Sequence, residues 1–247
     1  MLVSSEMALA IHHHTLLKGN YSMKKLTSLV LILCSLCLPF QAVFAGGTYP
    51  ESLKAGDTAM NGGNADLAIQ EFEAALGQGV ADGEKAFARA KKAYVLAFIK
   101  KDYPKARAEL DEAMKVSTLS PVAQLTVFQV QAECQMRADR NYVEAAKNLE
   151  MALVLPDIDF ARPYLNLSLA DCYRENGDFP KALDACKKVL ETKGISSSAQ
   201  ASAHFNMGMT YQYGLKDFEN AKKSYAEAVK LNPGLKGAAD TNTVKMP

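Results

Sequence analysis

The sequence predicts an all-α chain of about five stacked helix pairs, and three observations carry that prediction. One phrase returns, as KDYPKARAELDEAM at 101–114 and GDFPKALDACKKVL at 177–190. Aligned on one alanine, five such segments stack, with Ala68, Ala106, Ala145, Ala182 and Ala221 at intervals of 38, 39, 37 and 39 residues. Nothing in the chain reads as a strand. A fixed period of this length is the mark of an array in which each unit buries its apolar face against the next.

The chain opens with a segment of another kind. From Met23 it reads MKKLTSLVLILCSLCLPFQAVFAGG, the order of a bacterial secretory signal: lysines, an apolar run, then small residues Val43 and Ala45 before Gly46. Cleavage is expected after Ala45. Pro39 and Gln41 interrupt the apolar run, which argues against a permanent membrane span of roughly 20 unbroken residues. Leu33 and Leu36 are bulky where a lipoprotein signal wants small residues before its cysteine. Cys34 and Cys37 have the spacing of a redox or metal motif but lie inside the apolar run. Residues 1–22 read as an extension ahead of the true start, and His12, His13 and His14 within it carry no metal site on that reading. The expected division is therefore 1–22 extension, 23–45 cleaved signal, 46–235 repeat domain and 236–247 a polar, disordered tail. Export places the mature chain in the periplasm or outside the cell, with no membrane span after cleavage.

Within the repeats, the second helix of each pair is the clearer element. Asn64, Asp102, Asn141, Asp178 or Asp217 stands four residues before each marker alanine, the N-cap position where a side-chain oxygen accepts from a free amide of the first turn. Four residues after each marker comes Phe72, Leu110, Leu149, Cys186 or Tyr225, and three further on Ala75, Ala113, Ala152, Val189 or Ala228. That spacing draws one apolar stripe along a helix. Pro104 and Pro180 fall two residues after their caps, in a first turn whose amides lack intrahelical partners, so they mark the helix start. The first helices precede: SLKAGDTAM, AFARAKKAYVLAFIKK, VFQVQAECQMRA, YLNLSLADCYREN and HFNMGMTYQYG. Ala90, Ala93, Tyr94 and Ala97 make one inward face in the second pair, Leu169, Ala170 and Tyr173 in the fourth, and Met207, Gly208 and Tyr211 in the fifth. LPDIDFARP and TKGISSS read as connectors.

This pattern resembles the tetratricopeptide repeat, with Gly and Tyr in the first helix and Ala, aromatic and Ala in the second. MGMTYQYGLKDFENAKKSYAEAVKLNP at 207–233 is the strongest match, followed by NGDFPKALDACKKVL. The resemblance covers roughly 49–235. The period runs about four residues beyond the usual 34, and the first unit lacks the usual aromatics, so it reads as a worn cap. The resemblance implies a right-handed superhelical solenoid whose first helices line a groove for a peptide or partner helix. It thus implies an exported, non-enzymatic scaffold or adaptor.

If the inward faces are as assigned, Lys91, Val95 and Phe98 turn to the groove in the second pair. The same offsets give Val130, Cys134 and Arg137 in the third, Leu167, Asp171 and Arg174 in the fourth, and Phe205, Met209 and Gln212 in the fifth. This apolar floor with a few charges suits a segment bearing apolar anchors. It lacks the dense Lys, Asn and Arg set of the family's carboxylate clamp. The alternative is that these residues pack first helices together.

Composition narrows the function classes. The full chain carries 28 basic and 27 acidic residues; removing 1–45 takes Lys18, Lys24, Lys25 and Glu6 and leaves a net charge of −1. There is no basic footprint for nucleic acid. No phosphate loop, zinc spacing or nucleophile motif stands in the chain, so no enzyme, cofactor or metal is expected. The remaining histidine, His204, lies beside Ala203 and Phe205 on a packed helix. Of Cys134, Cys172 and Cys186, one pair could bridge in an oxidising compartment, or all three could serve as small apolar side chains. The runner-up function is a structural, homo-oligomeric element assembling through its terminal repeats, since the tail leaves the last helix with little cover.

Overall fold

In the computed structural model, residues 51–77 and 81–244 are described; the expected extension and export signal fall outside them. Among these residues all regular structure is helical. Five pairs follow one another: α1 (Glu51–Asn61) with α2 (Ala65–Leu76), α3 (Asp82–Tyr94) with α4 (Tyr103–Ala113), α5 (Pro121–Cys134) with α6 (Tyr142–Leu153), α7 (Arg162–Glu175) with α8 (Phe179–Leu190), and α9 (Ser197–Met209) with α10 (Phe218–Leu231). A single helix, α11 (Lys236–Val244), comes last. The first three pairs form one compact unit ending at Ile158, and the last two pairs with α11 form another from Asp159.

Each second helix starts where its cap directs. The side chains of Asn64, Asp102, Asn141, Asp178 and Asp217 accept from the amides three residues on, at 3.1, 3.2, 3.1, 3.3 and 3.1 Å. Pro104 and Pro180 occupy the first turns of α4 and α8. Among first helices, Ser120 and Ser196 cap α5 and α9 in the same way. At α3, Glu84 instead reaches back to accept from the Ala81 amide at 3.1 Å.

The ends of the first helices differ in a way the repeat spacing conceals. In pairs one and four the cap amide donates to the carbonyl five residues back, Asn64 to Ala59 and Asp178 to Tyr173. In pairs two, three and five it donates six back: Asp102 to Leu96, Asn141 to Gln135, Asp217 to Tyr211. These three pairs hold one more residue, absorbed as a π-helical turn at Val95–Lys100, Gln135–Asp139 and Thr210–Leu215. A π-turn is the usual way a helix takes in one residue without losing its downstream direction. The residue before each second-helix cap is left-handed: Gly63 and Gly177 where the turn is short, Lys101, Arg140 and Lys216 where it is π.

In the first and fifth pairs, a glycine of the first helix faces the bulky residue of the second, and the repeat register places a small residue at the same position in the other three. The small residues, read from the marker alanines, are Gly56, Ala93, Ala132, Ala170 and Gly208. Glycine occurs where the opposing residue is aromatic. A Cβ on Gly56 would lie 2.5 Å from the Phe72 ring, and one on Gly208 would lie 2.7 Å from Tyr225. In the register of the repeat, alanine corresponds to Leu110, Leu149 and Cys186. The first pair is thus no worn cap: Phe72 is wholly buried on Gly56.

Two further features bear on the expectations. The expected polar, disordered tail is helical over the part described, since α11 runs from Lys236 to Val244. Its Ala239 is buried beside Leu235 in the cluster that holds Phe205 and Tyr225. Asn232 and Pro233 end α10, but a short 3-10 turn at Pro233–Leu235 redirects the chain into a new helix. Cys134, Cys172 and Cys186 are all buried and unbridged.

Candidate functional site

The first helices position the candidate groove residues, and their geometry is governed by burial and internal ion pairing. In the unit ending at Ile158, Lys91 is almost fully covered; its Nζ lies 2.6 Å from Asp57 Oδ1 on α1 and 5.1 Å from the centre of the Phe87 ring. Phe98 is buried and stacked on Tyr94 with ring centres 4.5 Å apart. Val95 and Val130 are 0% exposed, and Cys134 is buried too. Arg137 is partly exposed, its Nε 3.1 Å from the fully buried Glu133. In the unit from Asp159, Leu167 is buried and Asp171 partly exposed. Arg174 is buried, with Nη2 3.1 Å from Asp171 and Nη1 2.5 Å from Glu175. Phe205 tilts against Tyr225 at 5.2 Å, and Met209 is partly exposed. Gln212 is buried, accepting from Tyr225 Oη at 2.8 Å and donating to the Asn242 carbonyl at 2.7 Å.

Val95, Val130 and Cys134 therefore belong to the packed interior, and the π-turns explain the misplacement. Counting back from the second-helix caps aligns Val95 and Cys134 with Asp171. Counting from the small residues, which fix how each first helix faces its partner, moves pairs two and three by one position. One column then reads Asp57, Tyr94, Glu133, Asp171 and Met209. First helices are also covered on more than one side, since α3 packs on α5 and α9 on α7 as well as on their own partners. Gln212 is likewise taken, by α11. The members of the predicted set with open surface are Arg137, Asp171 and Met209.

Charge in this column is balanced internally. Asp57, Glu133 and Asp171 hold Lys91, Arg137 and Arg174, each cation within 3.1 Å of a carboxylate oxygen. Burial works against the charge on Arg174, but Asp171 and Glu175 outweigh it and raise its pKa. None of these three cations is arranged to receive a carboxylate terminus. Reaching the Asp57–Lys91 pair from sequence was not feasible, because its partners stand 34 residues apart.

Burial governs the titratable groups elsewhere. Burial lowers the pKa of His204, with Glu227 acting the other way. Burial pushes the Cys134 thiol up to about 11 despite Arg107, so it is no thiolate at neutral pH. Burial pushes Cys186 up as well. Among the described residues no helix is long and apolar enough to cross a membrane, and no group of three or more His, Cys, Asp or Glu could hold a metal ion.

Comparison with known proteins agrees with the helix-pair geometry. Two family models, each described as tetratricopeptide repeat, match residues 53–118 and 201–235. Among curated proteins, the photosystem I assembly protein Ycf3 of Prochlorococcus marinus is 34% identical over 107 residues, 38% of this chain and 60% of that protein. Its counterpart in Synechococcus sp. (strain CC9605) is 31% identical over 109 residues, 39% of this chain and 61% of that protein. The matched stretch thus spans about three-fifths of these relatives' length. Among solved structures, YrrB, described as a TPR protein with an unusual peptide-binding site, superposes with a TM-score of 0.54 at 17% identity, covering 77% of this chain and 92% of that one. At that identity the likeness concerns the fold.

Proposed function

We propose that this chain, which is a tetratricopeptide-repeat protein, is a non-enzymatic scaffold that holds a segment of a partner protein along its first helices. The observation that carries the reading lies in the unit from Asp159, where Asp171 on α7 and Met209 at the end of α9 keep open surface on two first helices that pack on each other. With the neighbouring cations already paired, that surface favours a segment that anchors by apolar contact over one that docks by a terminal carboxylate. The peptide-binding site named for YrrB and the assembly role named for Ycf3 are the same class of work. The class is carried over here and the partner is not.

The signal-like order of residues 23–45 supports export to the cell envelope, and the mass of the mature N-terminus tests it. Cleavage after Ala45 predicts a chain beginning at Gly46; an N-terminus at or before Met23 contradicts export by this route. The homo-oligomeric reading loses the observation that motivated it, since α11 covers the last pair.

The binding reading is tested by replacing Asp171 and Met209 together with alanine. Phe98, Arg174 and Phe205 are poor targets because they are buried, so their loss would report on folding. With Glu175 still holding Arg174, the double variant should keep its helical circular dichroism and lose capture of whatever cross-links to the native protein. Undiminished capture by the folded variant would sink the reading.

A further inference from the structure

We propose that α11 is a detachable cover, which screens the end of the last pair's first helix and opens without the pairs beneath it unfolding. Its place is that of a missing element. α11 begins 39 residues after Ser197 starts α9, one repeat further on, so it stands in sequence where a sixth first helix would begin.

Its hold is slight. Among the described side chains, the apolar contact consists of Ala239, buried beside Leu235, with Ala238 partly covered against the same cluster. α10, by comparison, buries Ala221, Ser224, Tyr225 and Ala228. The polar contact is concentrated in one residue: the Asn242 carbonyl accepts from Gln212 Nε2 at 2.7 Å, and its Oδ1 accepts from Tyr213 Oη at 2.9 Å. Other side-chain bonds of α11 stay within it, from Lys236 to Asp240, Thr241 to the Gly237 carbonyl and Thr243 to the Asp240 carbonyl.

Nor can the helix stand alone. It has nine residues, fewer than the roughly 12–15 below which isolated helices are marginal in water. Gly237, Thr241, Asn242 and Thr243 are weak helix formers. Its order therefore depends on docking, and undocking amounts to local unfolding of one short segment.

What the cover engages is specific: Gln212 is buried beneath it, while Tyr213 is bonded to it and stays exposed. Gln212 and Tyr213 lie in the π-turn Thr210–Leu215, and Asn242 is the partner of both Gln212 Nε2 and Tyr213 Oη. When α11 leaves, Gln212 keeps its bond from Tyr225, while its amide nitrogen and the Tyr213 hydroxyl turn outward. The exposed surface then suits a helical segment that offers a small residue in place of Ala239 and an amide in place of Asn242. The link to partner binding rests on the proposed function; the opening itself does not.

Hydrogen exchange on the full chain, compared with its Asn242→Ala variant, tests the opening alone. In the native chain, amides of 236–244 should exchange at least about 100-fold faster than those of Phe218–Leu231. In Asn242→Ala, 236–244 and Thr210–Leu215 should both speed up together, with Phe218–Leu231 unchanged. Exchange of 236–244 at the rate of α10 would overturn the proposal, because α11 would then be an integral layer. Faster exchange of 236–244 in the variant, with Thr210–Leu215 unmoved, would also overturn it, because the helix would then conceal nothing.

Discussion

A methyl group at residue 208 has nowhere to go, since its carbon would lie 2.7 Å from the Tyr225 ring. Gly208→Ala should therefore destabilise the chain by about 1–3 kcal/mol through overpacking, read from the urea midpoint. Adding Tyr225→Leu recreates the alanine–leucine combination that Ala93 and Leu110 hold at the same repeat positions. The double variant should be less destabilised than the two single losses summed, although Gln212 then lacks its tyrosine donor. A strictly additive result would mean that the two positions do not share one space. The caps make a second residue-scale prediction. The Lys105 side chain, with its amide, holds Asp102 below its usual 3.8, Lys181 does the same for Asp178, and for Asp217 the Asn220 amide leads. Folded-state values depressed in this way add stability that is full above the unfolded value and lost as pH falls through the folded one. Replacing all three with asparagine keeps a capping oxygen, so the urea midpoint should fall less between about pH 5 and pH 2 than in the native chain. The caps and the bulky column were legible in the sequence because each is a local pattern repeated five times. The pairing of small with bulky residues was only half visible, as it joins positions on two helices.

At the scale of the element, one residue decides how a first helix ends. Pairs one and four close with Gly63 and Gly177, whereas pairs two, three and five carry Lys101, Arg140 and Lys216 in the left-handed conformation. A side chain in that region costs about 1–2 kcal/mol, partly offset by the greater unfolded-state freedom of glycine. Arg140→Gly and Lys216→Gly should each stabilise the chain by up to about 1 kcal/mol, seen as a higher melting temperature. A loss of stability in both would mean that the π-turns rely on these side chains. The π-turns were not legible in advance: aligned on the second helices, an extra residue passes for variation in a connector. That is why Val95 and Cys134 were assigned to the groove and Tyr94 and Glu133 were not. The helix at 236–244 escaped for another reason. Thr241, Asn242 and Thr243 read as loop, and docking of Ala239 and Asn242 overrides their weak propensity.

Adjacent pairs are tied along their edges by charge as well as by apolar contact. Lys92 reaches both Glu73 on α2 and Glu109 on α4, at 2.6 and 2.8 Å, and Arg89 also reaches Glu109. Lys100 pairs with Asp66, and Arg107 with Asp139. The more exposed of these pairs contribute little individually. The central claim is that the first helices α7 and α9 hold a partner segment. The direct measurement is site-specific photo-cross-linking in cells, with the reactive side chain placed at Asp171 or Met209 and, for comparison, at the exposed Lys187 and Lys222 of the second helices. The account predicts one common adduct from 171 and 209 and none from 187 or 222. Adducts that form from 187 and 222 while 171 and 209 stay silent would contradict it.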